Sequence, residues 1–173
     1  MRTLRLTTAV LASAAIVMLT GCSAAPRSRA DGQRDALLEL PVPTQVTLRT
    51  ARASGLGEIV VDSQGRALYM FAPDASQRVS CVGGCAGIWP PLSLADGQWA
   101  AAGPGINPAQ LSTLPDPNSG ARIVIYFGHP LYRYSGDVTA GSANGQGLFT
   151  NGGPWYVLTP SGQPVTTNPA GAS

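Results

Sequence analysis

The chain has 173 residues, 44% of them hydrophobic, and 11 basic side chains against nine acidic ones for a formal charge of +2. Every basic residue is arginine, and loss of Arg2 and Arg5 with a leader would bring the charge to neutrality. A near-neutral protein of this size has room for one independent domain and excludes the strongly basic face that nucleic-acid binding needs.

Arg2 and Arg5 precede an apolar run from about Leu6 to Leu19, which closes on Leu19-Thr20-Gly21-Cys22. A basic start, a short apolar stretch and small residues before a cleavage point are the marks of an exported signal peptide. A membrane-spanning helix needs about 20 apolar residues, whereas this run is shorter and broken by Thr7, Thr8 and Ser13. An ordinary secretory signal could use Ala24-Ala25-Pro26, but the Leu-Thr-Gly-Cys order predicts a signal peptide over residues 1–21 and acylation of Cys22. The Cys22 thiol would then carry diacylglycerol, and at ~0.8 kcal/mol per buried methylene two chains hold a protein on a bilayer. The expected partner is therefore the lipid bilayer, and the expected location is the extracytoplasmic face of the cell membrane.

Residues 23–53 hold no aromatic side chain and one short apolar patch, Leu37-Leu38-Glu39-Leu40, before Pro41-Val42-Pro43. Such a composition buries too little to order itself, so residues 22–53 read as a lipidated, flexible tether. Its arginines (Arg27, Arg29, Arg34, Arg49 and Arg52) would each gain up to about 1 kcal/mol beside anionic headgroups.

Residues 54–166 read as the folded domain, and they contain a repeat. At an offset of 63, Val60-Val61 matches Ile123-Val124, Gly65 matches Gly128, Leu68-Tyr69 matches Leu131-Tyr132, Phe71 matches Tyr134 and Asp74 matches Asp137. Repeat 1 covers about 56–100 and repeat 2 about 120–162. Each copy has the pattern of a hairpin: a β-branched run, a turn at Ser63-Gln64-Gly65 or Phe127-Gly128-His129-Pro130, then an aromatic strand. Alternation along a strand puts Tyr69 and Phe71 on one face and Leu68 and Met70 on the other, with Tyr132 and Tyr134 opposite Leu131 and Arg133 in the second copy. Asp74 and Asp137 follow at turns, where a carboxylate bonds nearby backbone N–H groups. A sharper alternative has each aspartate accepting a hydrogen bond from a neighbouring tyrosine hydroxyl.

Within repeat 1, one helical turn is expected in residues 85–92. Further strands are expected at Arg122–Tyr126 and Trp155–Thr159, with a closing strand at Pro164–Thr166 and a disordered tail over 167–173. The predicted fold is mainly β, a compact antiparallel domain built from two tandem hairpin-containing repeats.

Acylation of Cys22 leaves Cys81 and Cys85, and an even pair outside the cytoplasm is most simply a disulfide. The alternative is an extracytoplasmic redox or copper-binding protein, with Cys81, Cys85 and His129 offering Cu(I) two thiolates and an imidazole. Gly141-Ser142-Ala143-Asn144-Gly145-Gln146-Gly147 lacks the lysine and following helix of a phosphate-binding loop and reads as a flexible loop. No catalytic constellation is visible, since His129 is the sole candidate base and no Gly-x-Ser-x-Gly elbow accompanies it. The expectation is a non-enzymatic binding or structural module with no cofactor and no nucleic-acid partner.

Tyr69-Met70-Phe71-Ala72-Pro73-Asp74 and Tyr132-Arg133-Tyr134-Ser135-Gly136-Asp137 resemble the motif of bacterial lipoproteins with a Yx(FWY)xxD signature, a secreted repeat of unknown function. Ser80 to Ala86 running to Trp89-Pro90-Pro91-Leu92, Gly128 to Tyr132, Asn144 to Gly147 and Trp155-Tyr156-Val157 extend the resemblance over about Leu56 to Gly162. It implies lipid attachment and a tandem β-rich repeat without an assigned activity. The family pattern implies an aspartate two residues before Asn144, where this chain has Ser142.

Overall fold

Ile59, Val60 and Val61 are consecutive and all buried, the pattern of a strand covered on both faces and needing neighbours for its backbone groups. In the computed structural model, which describes residues 45–74 and 78–167, they lie in β2 (Gly57–Asp62), which pairs antiparallel with β1 (Gln45–Ala53). β1 is also joined in parallel by β5 (Trp99–Ala102). The tether expected to reach residue 53 therefore stops before Gln45. Absence of aromatics hid this strand, but β1 places Leu48 fully in the core and meets the hydrogen-bonding needs of β2. The signal peptide, Cys22, the rest of the tether and residues 168–173 of the expected tail lie outside the described residues.

A second sheet has the order β3 (Tyr69–Phe71), β10 (Gly153–Val157), β9 (Phe149–Thr150). The third runs β4 (Ser93–Leu94), β7 (Arg122–Tyr126), β6 (Leu111–Pro115), with β8 (His129–Pro130) also on β7. All pairings other than β1 with β5 are antiparallel. The expected helical turn is α1 (Gly84–Ile88). Among the described residues no helix is long and apolar enough to cross a membrane. The expected closing strand is reduced to a single bridge between Leu158 and Pro164, because the next backbone groups on either side are taken by side chains: Val157 N–H and Val165 O bond the Gln146 amide, and Gln163 N–H bonds the Thr159 hydroxyl.

Both predicted hairpins form, with a register that corrects the gapless offset. Leu68 N–H donates to Val60 O at 3.1 Å, and Leu131 N–H donates to Val124 O at 3.0 Å. Val60 thus corresponds to Val124, one residue later than the constant offset places it. The second turn is one residue shorter, made by Phe127 and Gly128 with φ of 48° and 80°. Two successive left-handed residues suit the tight turns that match strand twist.

Alternation along these strands builds two apolar clusters. Tyr69, Phe71, Tyr132, Trp89, Trp155, Ile123 and Ile125 belong to one. Leu68, Met70, Leu131, Val60, Val124, Leu92 and Leu158 belong to the other. The predicted division of Tyr69 and Phe71 from Leu68 and Met70 is the observed one.

Candidate functional site

The repeats meet along an internal two-fold. Tyr69 and Tyr132 exchange both backbone hydrogen bonds at 2.9 Å, so the equivalent residue of each repeat is the other's partner. The same reciprocity governs the segments after them. Val157 of β10 lies opposite Tyr69 and Pro91 opposite Tyr132. Val60 N–H donates to Leu158 O, and Val124 N–H donates to Leu92 O, both at 2.9 Å. The Trp-x-x-Leu segment of each repeat therefore completes the hairpin of the other.

Two tryptophans close this centre. The Trp89 and Trp155 rings are parallel within 1° with centroids 3.9 Å apart, and Phe71 stacks on Trp155 at 4.1 Å while Tyr134 lies on Trp89 at 4.4 Å. Tyr69 meets Trp89 edge-on, and Tyr132 meets Trp155 likewise. The result is a four-ring column alternating between repeats, with both indoles fully buried. Stacked and edge-on aromatic pairs add about 0.5–1.5 kcal/mol each beyond their burial.

Motif aspartates tie the column down across the two-fold. Tyr69 O–H donates to Asp137 Oδ2 and Tyr132 O–H to Asp74 Oδ2, each at 2.6 Å. The other oxygen of each carboxylate accepts a backbone N–H, from Ser80 at 2.7 Å and from Asn144 at 2.8 Å. Both sequence readings of these aspartates thus hold together, with the tyrosine supplied by the opposite repeat. Burial, together with Asp137, drives the Tyr69 hydroxyl far above its ordinary value; burial, together with Asp74, does the same to Tyr132.

Each repeat then routes its chain to its tryptophan differently. Repeat 1 uses the Cys81–Cys85 disulfide and α1, as cysteine arithmetic predicts, with Asn118 holding Cys81 O and Gly83 N–H. Repeat 2 uses the glycine-rich segment expected to be a loose loop. It is instead wedged into the centre: Gly145 N–H donates to the Tyr69 hydroxyl, and a Cβ on Gly145 would lie 2.7 Å from the Trp89 ring. Gln146 behind it accepts from Val157 N–H and donates to Val165 O. Ser142, at the position where the family pattern implies aspartate, shares a hydrogen bond with the Thr139 hydroxyl.

With both sulfurs joined, the thiolate set of the copper reading exists only after reduction. Among the described residues no group of three or more His, Cys, Asp and Glu could hold a metal ion. His129 lies in β8 opposite Tyr126. Burial holds its pKa below the ordinary histidine range, against the opposing field of Asp74.

The chemistry left facing outward is a group that sequence reasoning passed over. Asp62, 1% exposed, accepts Nε–H of Arg133 at 2.8 Å and Nε–H of Arg66 at 3.0 Å on one oxygen. Its other oxygen accepts the backbone N–H groups of Gln64 and Arg66. Burial pushes this carboxyl upward, but the hydrogen bond from Arg133, that from the Arg66 backbone and the charges of both guanidiniums prevail and hold it below its ordinary value. Arg66 and Arg133 line a cleft of about 310 Å³ with Pro90, Tyr134, Asp137 and Val138. One signal could have found it: Arg133 occupies the repeat position of Met70, which is buried.

A family model described as a secreted repeat of unknown function matches residues 50–93 and 115–159. No curated protein and no solved structure matches the chain.

Proposed function

Because this chain belongs to the family of secreted repeats of unknown function, we propose that it is a non-enzymatic binding or structural module, held on the extracytoplasmic face of the membrane by acylated Cys22. One observation carries the non-enzymatic part of this reading. Tyr69, Tyr132, Asp74 and Asp137, the polar motif side chains that define the repeat, are all buried and hydrogen-bonded to one another across the two-fold. A fully buried hydroxyl whose proton is held by a buried carboxylate is positioned to hold the fold together.

Anchoring rests on the Leu19-Thr20-Gly21-Cys22 signal and fits a domain that withstands an oxidising compartment with its sulfurs joined. The described domain supports the expectation of no nucleic-acid partner, since Arg49, Arg52, Arg66, Arg78, Arg122 and Arg133 are matched in number by Glu58, Asp62, Asp74, Asp96, Asp116 and Asp137. Phosphate-backbone binding draws on an excess of cations. Mass spectrometry of the native mature protein tests the reading. A diacylglyceryl group on Cys22 and an oxidised Cys81–Cys85 pair are expected, and Cys22→Ala should release the protein from the membrane fraction with its melting temperature unchanged. An unmodified Cys22, or a reduced pair carrying copper, would overturn it.

A further inference from the structure

Arg133 is oriented by Asp62 without being used up. Only its Nε–H is bonded; among the described residues its two terminal amino groups make no hydrogen bond, and neither does one terminal amino group of Arg66. A guanidinium fixed from behind by a buried carboxylate presents its remaining N–H groups as a rigid planar fork, and that fork matches a carboxylate in two parallel hydrogen bonds. The internal two-fold gives an independent argument. Asp62, Arg66 and Arg133 correspond by hairpin register to Tyr126, His129 and Met70, so nothing in the shared fold requires a carboxylate and two arginines at this end.

We propose that this cleft binds a carboxylate borne on a small apolar body, with Arg133 as the two-pronged donor and Arg66 beside it. Charge selects the head group. Arg66 and Arg133 are offset by Asp62 behind them and Asp137 in the wall, so the site is near neutral and suits one negative charge better than the two of a phosphate. Shape selects the body. Pro90, Tyr134 and Val138, the last 84% exposed, supply apolar lining, and about 310 Å³ is at the small end of ligand sites. A free carboxylic acid and a peptide C-terminus share this chemistry.

The inference rests on the binding half of the reading above. Anchoring is decided separately by acylation of Cys22, so a failed titration leaves that result standing. The test titrates the full chain in detergent with hydrocinnamate, with N-acetyl-Ala-Leu, with the amides of both and with inorganic phosphate. Binding is followed by calorimetry and by the side-chain NMR signals of Arg66 and Arg133. At least one acid should bind about tenfold more tightly than its amide and more tightly than phosphate, and which acid does so identifies the source. Arg133→Lys keeps the charge beside Asp62 but loses the fork, and should weaken that binding about tenfold with the melting temperature retained. Arg133→Met, the side chain of the other repeat, should abolish it. Equal binding of acid and amide, preference for phosphate, no saturable binding of any probe, or unaltered binding by Arg133→Lys would overturn the proposal.

Discussion

Repeat 1 and repeat 2 present the same tyrosine, second aromatic and aspartate to the centre, yet their hairpin ends are built from different chemistry. Toward the two-fold, each group of one repeat finds its partner in the other: Tyr69 with Asp137, Tyr132 with Asp74, Phe71 on Trp155, Tyr134 on Trp89. Away from it, repeat 1 carries Asp62 and Arg66 where repeat 2 carries Tyr126 and His129. Tyr126 turns its hydroxyl to Pro160 O, closing that end with a neutral bond. Asp62 instead gathers two arginines around a cleft. The contrast separates residues that every copy needs in order to fold from residues that one end is free to vary.

Equivalence at the centre can be broken most sharply at the tryptophans. Each ring stacks on the other and on an aromatic of the opposite repeat, so Trp89→Ala and Trp155→Ala should each cost about 3–5 kcal/mol in urea denaturation. A loss under about 1 kcal/mol for one of them would mean that the column is not shared. The crossing of tyrosine to aspartate comes next. Asp74→Ala or Asp137→Ala strips a buried hydroxyl of its acceptor, with an expected cost of about 1–3 kcal/mol. A double-mutant cycle should find Asp74→Ala coupled to Tyr132→Phe and nearly additive with Tyr69→Phe. The reverse pattern would place each tyrosine on its own repeat's aspartate.

Titration gives a smaller effect that both repeats should share. The Tyr69 and Tyr132 hydroxyls have pKa values far above the ordinary tyrosine range, burial first and the facing aspartate second. The folded protein then keeps protons that the unfolded chain gives up above about pH 10, so their stabilisation is intact below that value and declines as pH rises beyond it. The expected slope is about 1.4 kcal/mol per pH unit for each tyrosine, measured as unfolding free energy between neutral and alkaline pH. Either Tyr→Phe variant should remove half of it. An unequal halving would show that one end of the two-fold is wetter than the other.

Much of the centre was legible in the residues. Recurrence of Tyr69, Phe71 and Asp74 as Tyr132, Tyr134 and Asp137 identified the repeat, and period-two alternation assigned their faces correctly. Cys81 and Cys85 paired as compartment chemistry required. Two kinds of feature escaped. β1 lacks aromatics, and its place depends on β2 needing a neighbour, a demand written in another segment. Gly141 to Gly147 has the composition of a loose loop, yet Gly145 is there because Trp89 leaves no room for a side chain, and Gly141 and Gly147 hold φ of 84° and 70°.

Taken alone, the amino-acid sequence determined the mainly β class, the duplication and the inward face of each strand, because these follow from local periodicity and from the intrinsic chemistry of each side chain. Only the tertiary structure decided which repeat supplies each partner and that Asp62, Arg66 and Arg133 share a cleft. Hydrogen bonds and ring contacts between residues 45 or more positions apart depend on how two hairpins dock, and no short-range pattern records the choice between pairing within a repeat and pairing across the two-fold.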